Sequence, residues 1–264
     1  MPLRDATQVD TGLSMPLTSP ATVHRGVVLV TGGNGALGGA IAVAAARDGW
    51  KVGIGCRTFD ARAESVLTTL GEGQGCIATG DVTNREAVAG MAATTRDVFG
   101  EIHAAVCAAG VVSPPQRWGK TSWEAFDAQF QVQVRGVWNV LDAVLPAMIA
   151  QKRGVIVLVA STYARPVPPA FLAPYITAKH ALLGLARALA VEMAPKGIAV
   201  HVVSPSLTPS PMTAALPESA LEAAAAAALA GRLATPEDTA RAVSLLLRLD
   251  DPIYTGTELR AGGG

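Results

Sequence analysis

The chain has 264 residues, half of them apolar and only 16% charged, a composition that excludes a disordered or linker-like protein and allows one large domain with a substantial core. Its 21 Lys and Arg balance 21 Asp and Glu, so there is no broad basic field to hold a phosphate backbone, which argues against a nucleic-acid partner. Three cysteines, Cys56, Cys76 and Cys107, are odd in number and far apart; they offer neither a disulfide framework nor zinc spacing and point to a reducing, cytoplasmic compartment.

Residues 1–25 mix charge with Pro and Thr and read as a flexible N-terminal arm without a signal peptide. From Gly26 onward, short apolar runs alternate with helical patterns over a single dinucleotide-binding catalytic domain, residues 26–264. Strands are expected at Val27–Val30, Lys51–Cys56, Gly75–Thr79, Ala104–Cys107, Val155–Val159, Ala199–Val203 and Glu258–Ala261. Most are too apolar to have a wet face, as in a buried parallel sheet. Helices are expected at Ala36–Asp48, Ala61–Leu70, Arg85–Phe99, Trp123–Gln151, Tyr175–Ala194 and Pro236–Leu249. The alternation predicts a single-domain, Rossmann-like α/β fold, a doubly wound parallel sheet of about seven strands with helices on both faces. Gly197–Pro217 is long and uncharged, but Pro205, Pro209, Pro211 and Pro217 interrupt it, and no membrane span is expected. Residues 206–232, prolines followed by the run Ala223–Ala228, have little side chain to anchor them and read as a mobile substrate lid.

Thr31-Gly32-Gly33-Asn34-Gly35-Ala36-Leu37-Gly38 leads from an apolar strand into an Ala-rich helix, the context that a dinucleotide-binding loop requires. Gly33, Gly35 and Gly38 match G-x-G-x-x-G: they allow a tight turn, close approach of a pyrophosphate, and a helix N-terminus aimed at it. At the end of the second strand, where an acid would bind a ribose 2′-hydroxyl, the chain reads Gly55-Cys56-Arg57-Thr58 with no carboxylate before Asp60. Arg57 suits a 2′-phosphate, so NADP(H) is expected over NAD(H); the alternative is a solvated Arg57 with Asp60 capping the next helix.

Tyr175 and Lys179 stand four residues apart on a helical pattern, which puts phenol and ammonium on one face and leads to the expectation of a phenol pKa lowered by the neighbouring cation. Ser161 follows an apolar strand at the sheet edge where such folds bind ligands, and Thr162 competes with it as the hydroxyl that holds a carbonyl oxygen.

On these residues the chain resembles the classical short-chain dehydrogenase/reductase family from about Gly26 to its C-terminus, with a background similar to 3-oxoacyl carrier-protein reductases. Thr31-Gly32 with Ala36 and Gly38 fits the family's T-G-x-x-x-[AG]-x-G loop, Tyr175 with Lys179 fits Y-x-x-x-K, and Ser161 precedes the tyrosine by fourteen residues. The resemblance implies that Tyr175 is a general acid, that Lys179 binds the nicotinamide ribose and lowers the tyrosine pKa, and that Ser161 orients the carbonyl. It places Gln133 where the family has a helix asparagine that holds a relay water. Cofactor contacts implied in the same way are Gly32, Asn34, Gly35, Ala36, Leu37, Gly38, Arg57, Asp81, Val82, Ala109, Gly110, Tyr175, Lys179, Pro205, Ser206 and Ser210. The chain departs from the family at Cys107-Ala108-Ala109-Gly110, which replaces Asn-Asn-Ala-Gly, and at Ser206, which replaces glycine. Tyr254-Thr255-Gly256 and Gly262-Gly263 resemble the closing strand.

The activity so implied is an NADPH-dependent carbonyl reductase, or in reverse an alcohol dehydrogenase, acting on a hydrophobic or acyl-thioester-type ketone, free or carrier-bound. A non-redox isomerase or dehydratase and a catalytically weak dinucleotide-binding protein are the alternatives. Assembly into a homodimer or homotetramer through Trp123–Gln151 and Tyr175–Ala194 is implied by the resemblance alone. His24, His103, His180 and His201 share no ligand spacing, so no metal is expected. Trp118 and Trp123 flank a Pro- and Gly-containing loop, either at the substrate entrance or packed at a helix start.

Overall fold

A computed structural model describes residues 25–111, 114–210, 213 and 216–262; most of the arm expected at 1–25, together with Gly263, lies outside them. Seven parallel strands form one sheet: β1 (Gly26–Thr31), β2 (Trp50–Cys56), β3 (Gly75–Thr79), β4 (Ile102–Cys107), β5 (Gly154–Val159), β6 (Ile198–Pro205) and β7 (Glu258–Ala261). Their order is β3-β2-β1-β4-β5-β6-β7, so the chain winds outward in opposite directions from β1 and leaves a crevice beyond the carboxyl ends of β1 and β4. Every residue of β5 and β6 is buried, which explains why these strands read as unbroken apolar runs.

Helices cover both faces. One layer holds α1 (Ala36–Arg47), α2 (Ala61–Leu70) and α8 (Pro236–Leu246), packed on a core that includes Val28, Val30, Ile54 and Val157. The other holds α3 (Arg85–Phe99), α5 (Gly136–Gln151) and α6 (Ala173–Met193) over Leu29, Ala105, Ile156 and Leu158. Alternate residues of each strand feed opposite cores, as the pleat dictates. Local signals set several helix starts: Asp60 caps α2 and Asn84 caps α3 by accepting from backbone N–H groups, and Thr235 with Asp238 forms a reciprocal capping box on α8. Between α1 and α8 the Arg248–Asp48 ion pair, at 2.6 Å, ties the ends of the layer together.

Two expected helices differ. Trp123–Gln151 is not continuous: α4 (Trp123–Phe130) runs into a π-helical turn at Gln131–Arg135 before α5 begins. The wider turn lets the chain stay helical while its facing residues change phase, a device for which no Gly or Pro marker is needed. The last helix stops at Leu246 rather than Leu249, and His201 Nε2 hydrogen-bonds the freed Leu249 carbonyl at 2.8 Å. In the segment 206–232, α7 (Glu218–Ala227) has no buried residue and Leu229 beyond it is 88% exposed.

Candidate active site

The glycine loop ends β1 and starts α1 at the switch point. Gly32 has φ +68, and a Cβ there would lie 2.8 Å from the Cα of Ala109 on the loop after β4. A Cβ on Gly38 would come within 2.1 Å of the Gly32 carbonyl oxygen, so the helix packs on its own loop only without a side chain. Gly35 is the N-cap of α1 and supplies no side-chain cap, and a Cβ there would meet only the Gly32 oxygen, at 3.1 Å. Bare backbone with uncapped first-turn N–H groups is the chemistry that a pyrophosphate needs, and the residues present therefore fit a dinucleotide.

The Cys107-Ala108-Ala109 departure lies at the end of β4 and on the loop that faces Gly32. A Cβ on Gly32 would meet backbone atoms of Ala108 and Ala109, and the Ala109 N–H donates to Thr31 Oγ1 at 3.4 Å, a tie between the loops that needs no side-chain amide. Cys107 is buried, and burial pushes its thiol up to about 12, which makes it an inert core residue.

Arg57 is exposed just beyond β2. The first carboxylate after it is already engaged: Asp60 accepts from the Ala63 N–H at 2.9 Å, from Asn34 Nδ2 at 3.1 Å and from Arg62 at 3.2 Å, bonds that hold its carboxyl below the usual range. Asp60 is thus the helix cap and a clasp on the glycine loop. Asp81 accepts from the backbone N–H and the hydroxyl of Thr83, both at 2.8 Å; these bonds first, then the field of Arg57, lower its pKa. Val82 is buried beside it, and its carbonyl accepts from Asn139 Nδ2 at 2.8 Å, which fixes this loop to α5.

Ser161, Tyr175 and Lys179 come together at the carboxyl end of β5. Ser161 is buried, and its side chain is close enough to Tyr175 to favour the phenolate against burial. Lys179 Nζ lies 5.7 Å from the Tyr175 ring centroid and donates to the Val159 carbonyl at 2.7 Å. The electrostatics depart from the expectation of a lowered phenol. Burial raises the Tyr175 pKa above its ordinary value, Ser161 opposes this, and Tyr163 raises it further. Burial also takes Lys179 down to about 7, so the cation that was to depress the phenol is itself disfavoured. Tyr163 was not singled out in the sequence; its N–H donates to Ser161 Oγ at 3.1 Å, and a tyrosine two residues past a strand end carries no signal of that placement. Thr162 stitches the loop to β6 through its N–H, which donates to the Pro205 carbonyl at 3.0 Å.

Gln133 is buried within the π turn; its Nε2 donates to Gln129 Oε1, while its own Oε1 is buried without a hydrogen-bond partner. Ser206 pairs with β7 through its N–H to the Ala261 carbonyl at 2.8 Å, and a Cβ on the facing Gly262 would collide with Ser206 Oγ at 2.0 Å. Ser210 is held in a turn by Thr213 Oγ1, which accepts from the Ser210 N–H at 2.9 Å. Gly110 lies exposed past β4. Among the described residues no group of three or more His, Cys, Asp or Glu could hold a metal ion, and no helix is long and apolar enough to cross a membrane.

An open glycine loop at a topological switch point, with a hydroxyl–phenol–amine group at the neighbouring strand end, is the architecture of dinucleotide-dependent oxidoreductases. A family model described as enoyl-(acyl carrier protein) reductase matches residues 33–264. The chain is 30% identical over 239 residues to 3-oxoacyl-[acyl-carrier-protein] reductase FabG of Haemophilus influenzae, covering 90% of this chain and 97% of that protein. It is 33% identical over 250 residues to (2S)-[(R)-hydroxy(phenyl)methyl]succinyl-CoA dehydrogenase subunit BbsD of Thauera aromatica, covering 92% and 97%. The crystal structure of levodione reductase superposes with a TM-score of 0.84 at 27% identity, covering 91% of this chain and 97% of that one. The chain belongs to the short-chain dehydrogenase/reductase family and is an NAD(P)-dependent oxidoreductase acting on CH–OH and C=O groups.

Proposed function

We propose that this protein is an NADPH-dependent carbonyl reductase, reversible as an alcohol dehydrogenase, for a hydrophobic or acyl-thioester-type ketone. The observation that carries the reading is the meeting of buried Ser161 with Tyr175 and Lys179 at the carboxyl end of β5, Lys179 Nζ lying 5.7 Å from the phenol ring centroid. When bound, the nicotinamide supplies the hydride. Tyr175, held protonated by burial, donates its phenolic proton to the carbonyl oxygen as charge develops there, and Ser161 orients that oxygen with a second hydrogen bond. Lys179 is fixed by the Val159 carbonyl at 2.7 Å, and its remaining N–H groups would hold the nicotinamide ribose.

Gly32, Asn34, Gly35, Ala36, Leu37 and Gly38 would cradle the pyrophosphate, Asp81 and Val82 the adenine, and Ala109, Gly110, Pro205, Ser206 and Ser210 the nicotinamide half. Preference for NADP(H) is inferred from the arginine itself at the end of β2, with Asp60 committed to three other donors; an exposed Arg57 beside a capping Asp60 is equally the arrangement of the alternative, and the Arg57→Ala comparison below decides between them. Residues 206–232 are assigned as the lid, consistent with α7 burying none of its residues. The reducing cytoplasm suits three free cysteines. Both thioester-named relatives, one acting through a carrier protein and one through CoA, support a thioester substrate.

Stopped-flow or steady-state oxidation of NADPH with a panel of 3-oxoacyl thioesters and apolar ketones tests the reading. Tyr175→Phe should lose nearly all turnover, on the order of a hundredfold or more, while its NADPH affinity stays close to that of the parent. Undiminished turnover in that variant would remove the general-acid assignment. Arg57→Ala should weaken NADPH about tenfold more than NADH, and equal losses would remove the cofactor preference. A second reading, a catalytically weak or non-redox protein, is favoured by one feature: Gln133 stands where the family has its helix asparagine, and its Nε2 is already donated to Gln129 Oε1. Tight NADPH binding without turnover across the panel would select it.

A further inference from the structure

Phe171 is a bulky residue in the left-handed region, with φ +68, two residues before α6. Lys152, the other non-glycine residue with positive φ among the described residues, is the C-cap of α5, where that conformation is ordinary. Phe171 has no such excuse, and a strained aromatic at the edge of a catalytic cleft is a feature whose purpose is to be sought in the site. Its carbonyl accepts from the Gln116 N–H at 2.8 Å, so the loop after β4 is stitched to the loop after β5. The second of these loops leaves the sheet after Val159, passes Ser161 and enters α6 at Ala173, two residues before Tyr175, so Phe171 rides on the segment between the two catalytic positions.

The stitch brings a second aromatic close. Trp118 is two residues from Gln116, within about 7 Å along the chain. It meets Phe126 edge-on at 6.1 Å, and Trp123 stacks on the other side of Phe126 at 5.8 Å. Yet the rings remain open to solvent: Phe171 is 53% exposed and Trp118 is 75% exposed. Pro114, Pro115, Pro166, Pro168 and Pro169 fix φ along both loops, so the ring positions are set in advance rather than by induced ordering.

We propose that Phe171 and Trp118 form a preorganised aromatic rim that makes the site selective for carbonyl compounds bearing an aryl or fused-ring group. The proposal rests on the carbonyl-reductase reading for its chemistry, but the rim itself is a binding surface. Rigid, exposed aromatic faces gain most from a flat partner that stacks on them. Small aliphatic ketones would reach Ser161 and Tyr175 without touching the rim.

The test compares 1-acetonaphthone with acetone in Phe171→Gly and Trp118→Ala. Glycine adopts φ +68 without strain, so Phe171→Gly should melt at the same temperature as the parent or higher. Its kcat/KM for the naphthyl ketone should fall about tenfold or more, mostly in KM, while that for acetone is unchanged. Trp118→Ala should shift the ratio in the same direction. Calorimetric binding of the naphthyl ketone to protein saturated with NADP+ gives a readout independent of turnover. Weakened binding in both variants, with no turnover in the parent, would sustain the rim and defeat the reductase reading. Equal naphthyl affinity and an unchanged naphthyl-to-acetone ratio in both variants would overturn the rim.

Discussion

Lys179 enters the protein interior as an amine held by one carbonyl, with burial lowering its pKa from 10.5 to about 7. The consequence for stability has a definite sign. Between about pH 7 and 10.5 the unfolded chain keeps the proton and the native chain has released it, so this group makes the protein more stable as pH rises across that window. Below about pH 7 both states hold the proton and the full desolvation penalty is present. Lys179→Met removes the penalty. In urea unfolding its advantage over the parent should be largest below pH 7 and shrink toward pH 10.5, with a slope of at most about 1.4 kcal/mol per pH unit. A difference that stays flat across the window would mean that the amine is solvated. The phenol tells the same story from the other side, since burial raises Tyr175. In the free protein burial therefore keeps the phenol in its protonated form.

At the scale of elements, the junction of β1 with α1 is the least forgiving part of the site. Gly38 lies one turn into the helix, and the 2.1 Å gap that a Cβ would leave to the Gly32 oxygen is a contact with backbone, which cannot rotate away. Gly38→Ala should cost about 1–3 kcal/mol, seen as a lower melting temperature, and should weaken NADPH because the loop must open to relieve the clash. Unchanged melting and unchanged affinity would show that helix and loop slide apart freely. The π turn at Gln131–Arg135 is a different kind of junction. It keeps α4 and α5 in one helical rod while turning Gln133 inward and placing Asn139 to donate to the Val82 carbonyl, which couples α5 to the loop after β3.

On the whole molecule, the outer face of α5 and α6 carries apolar surface that the monomer leaves open. Trp138 is 60% exposed and Val191 is 77% exposed, and Trp138, Leu141, Leu145, Pro146, Ile149 and Leu189 line a shallow groove between the two helices. A contiguous apolar groove of this kind on two adjacent helices is where self-association is expected. We propose that a second copy docks there, giving the dimer or tetramer implied by the resemblance. Light scattering should return a mass of two or four chains, and Trp138→Glu should lower it. A monomeric parent would leave the groove without this role.

Much of this protein was legible in its residues because the pattern and the chemistry are local. Buried parallel strands must be apolar on both faces, and all seven were expected in place, with Gly75–Thr79 and Glu258–Ala261 matched end to end. The glycine loop announced itself because only glycine tolerates those backbone approaches, and Tyr175 and Lys179 because four residues make one helical turn. What required the tertiary structure were quantities set by neighbours distant in sequence. Whether an amine beside a phenol is charged depends on what buries both, and burial reversed the expected direction for Tyr175. Asp60 reads from the sequence as a helix cap and is one, but its bond from Asn34 Nδ2 became visible only once α2 and the glycine loop were placed together. The π turn and the left-handed Phe171 leave no residue signature, since packing between elements imposes them on side chains that would not choose them alone.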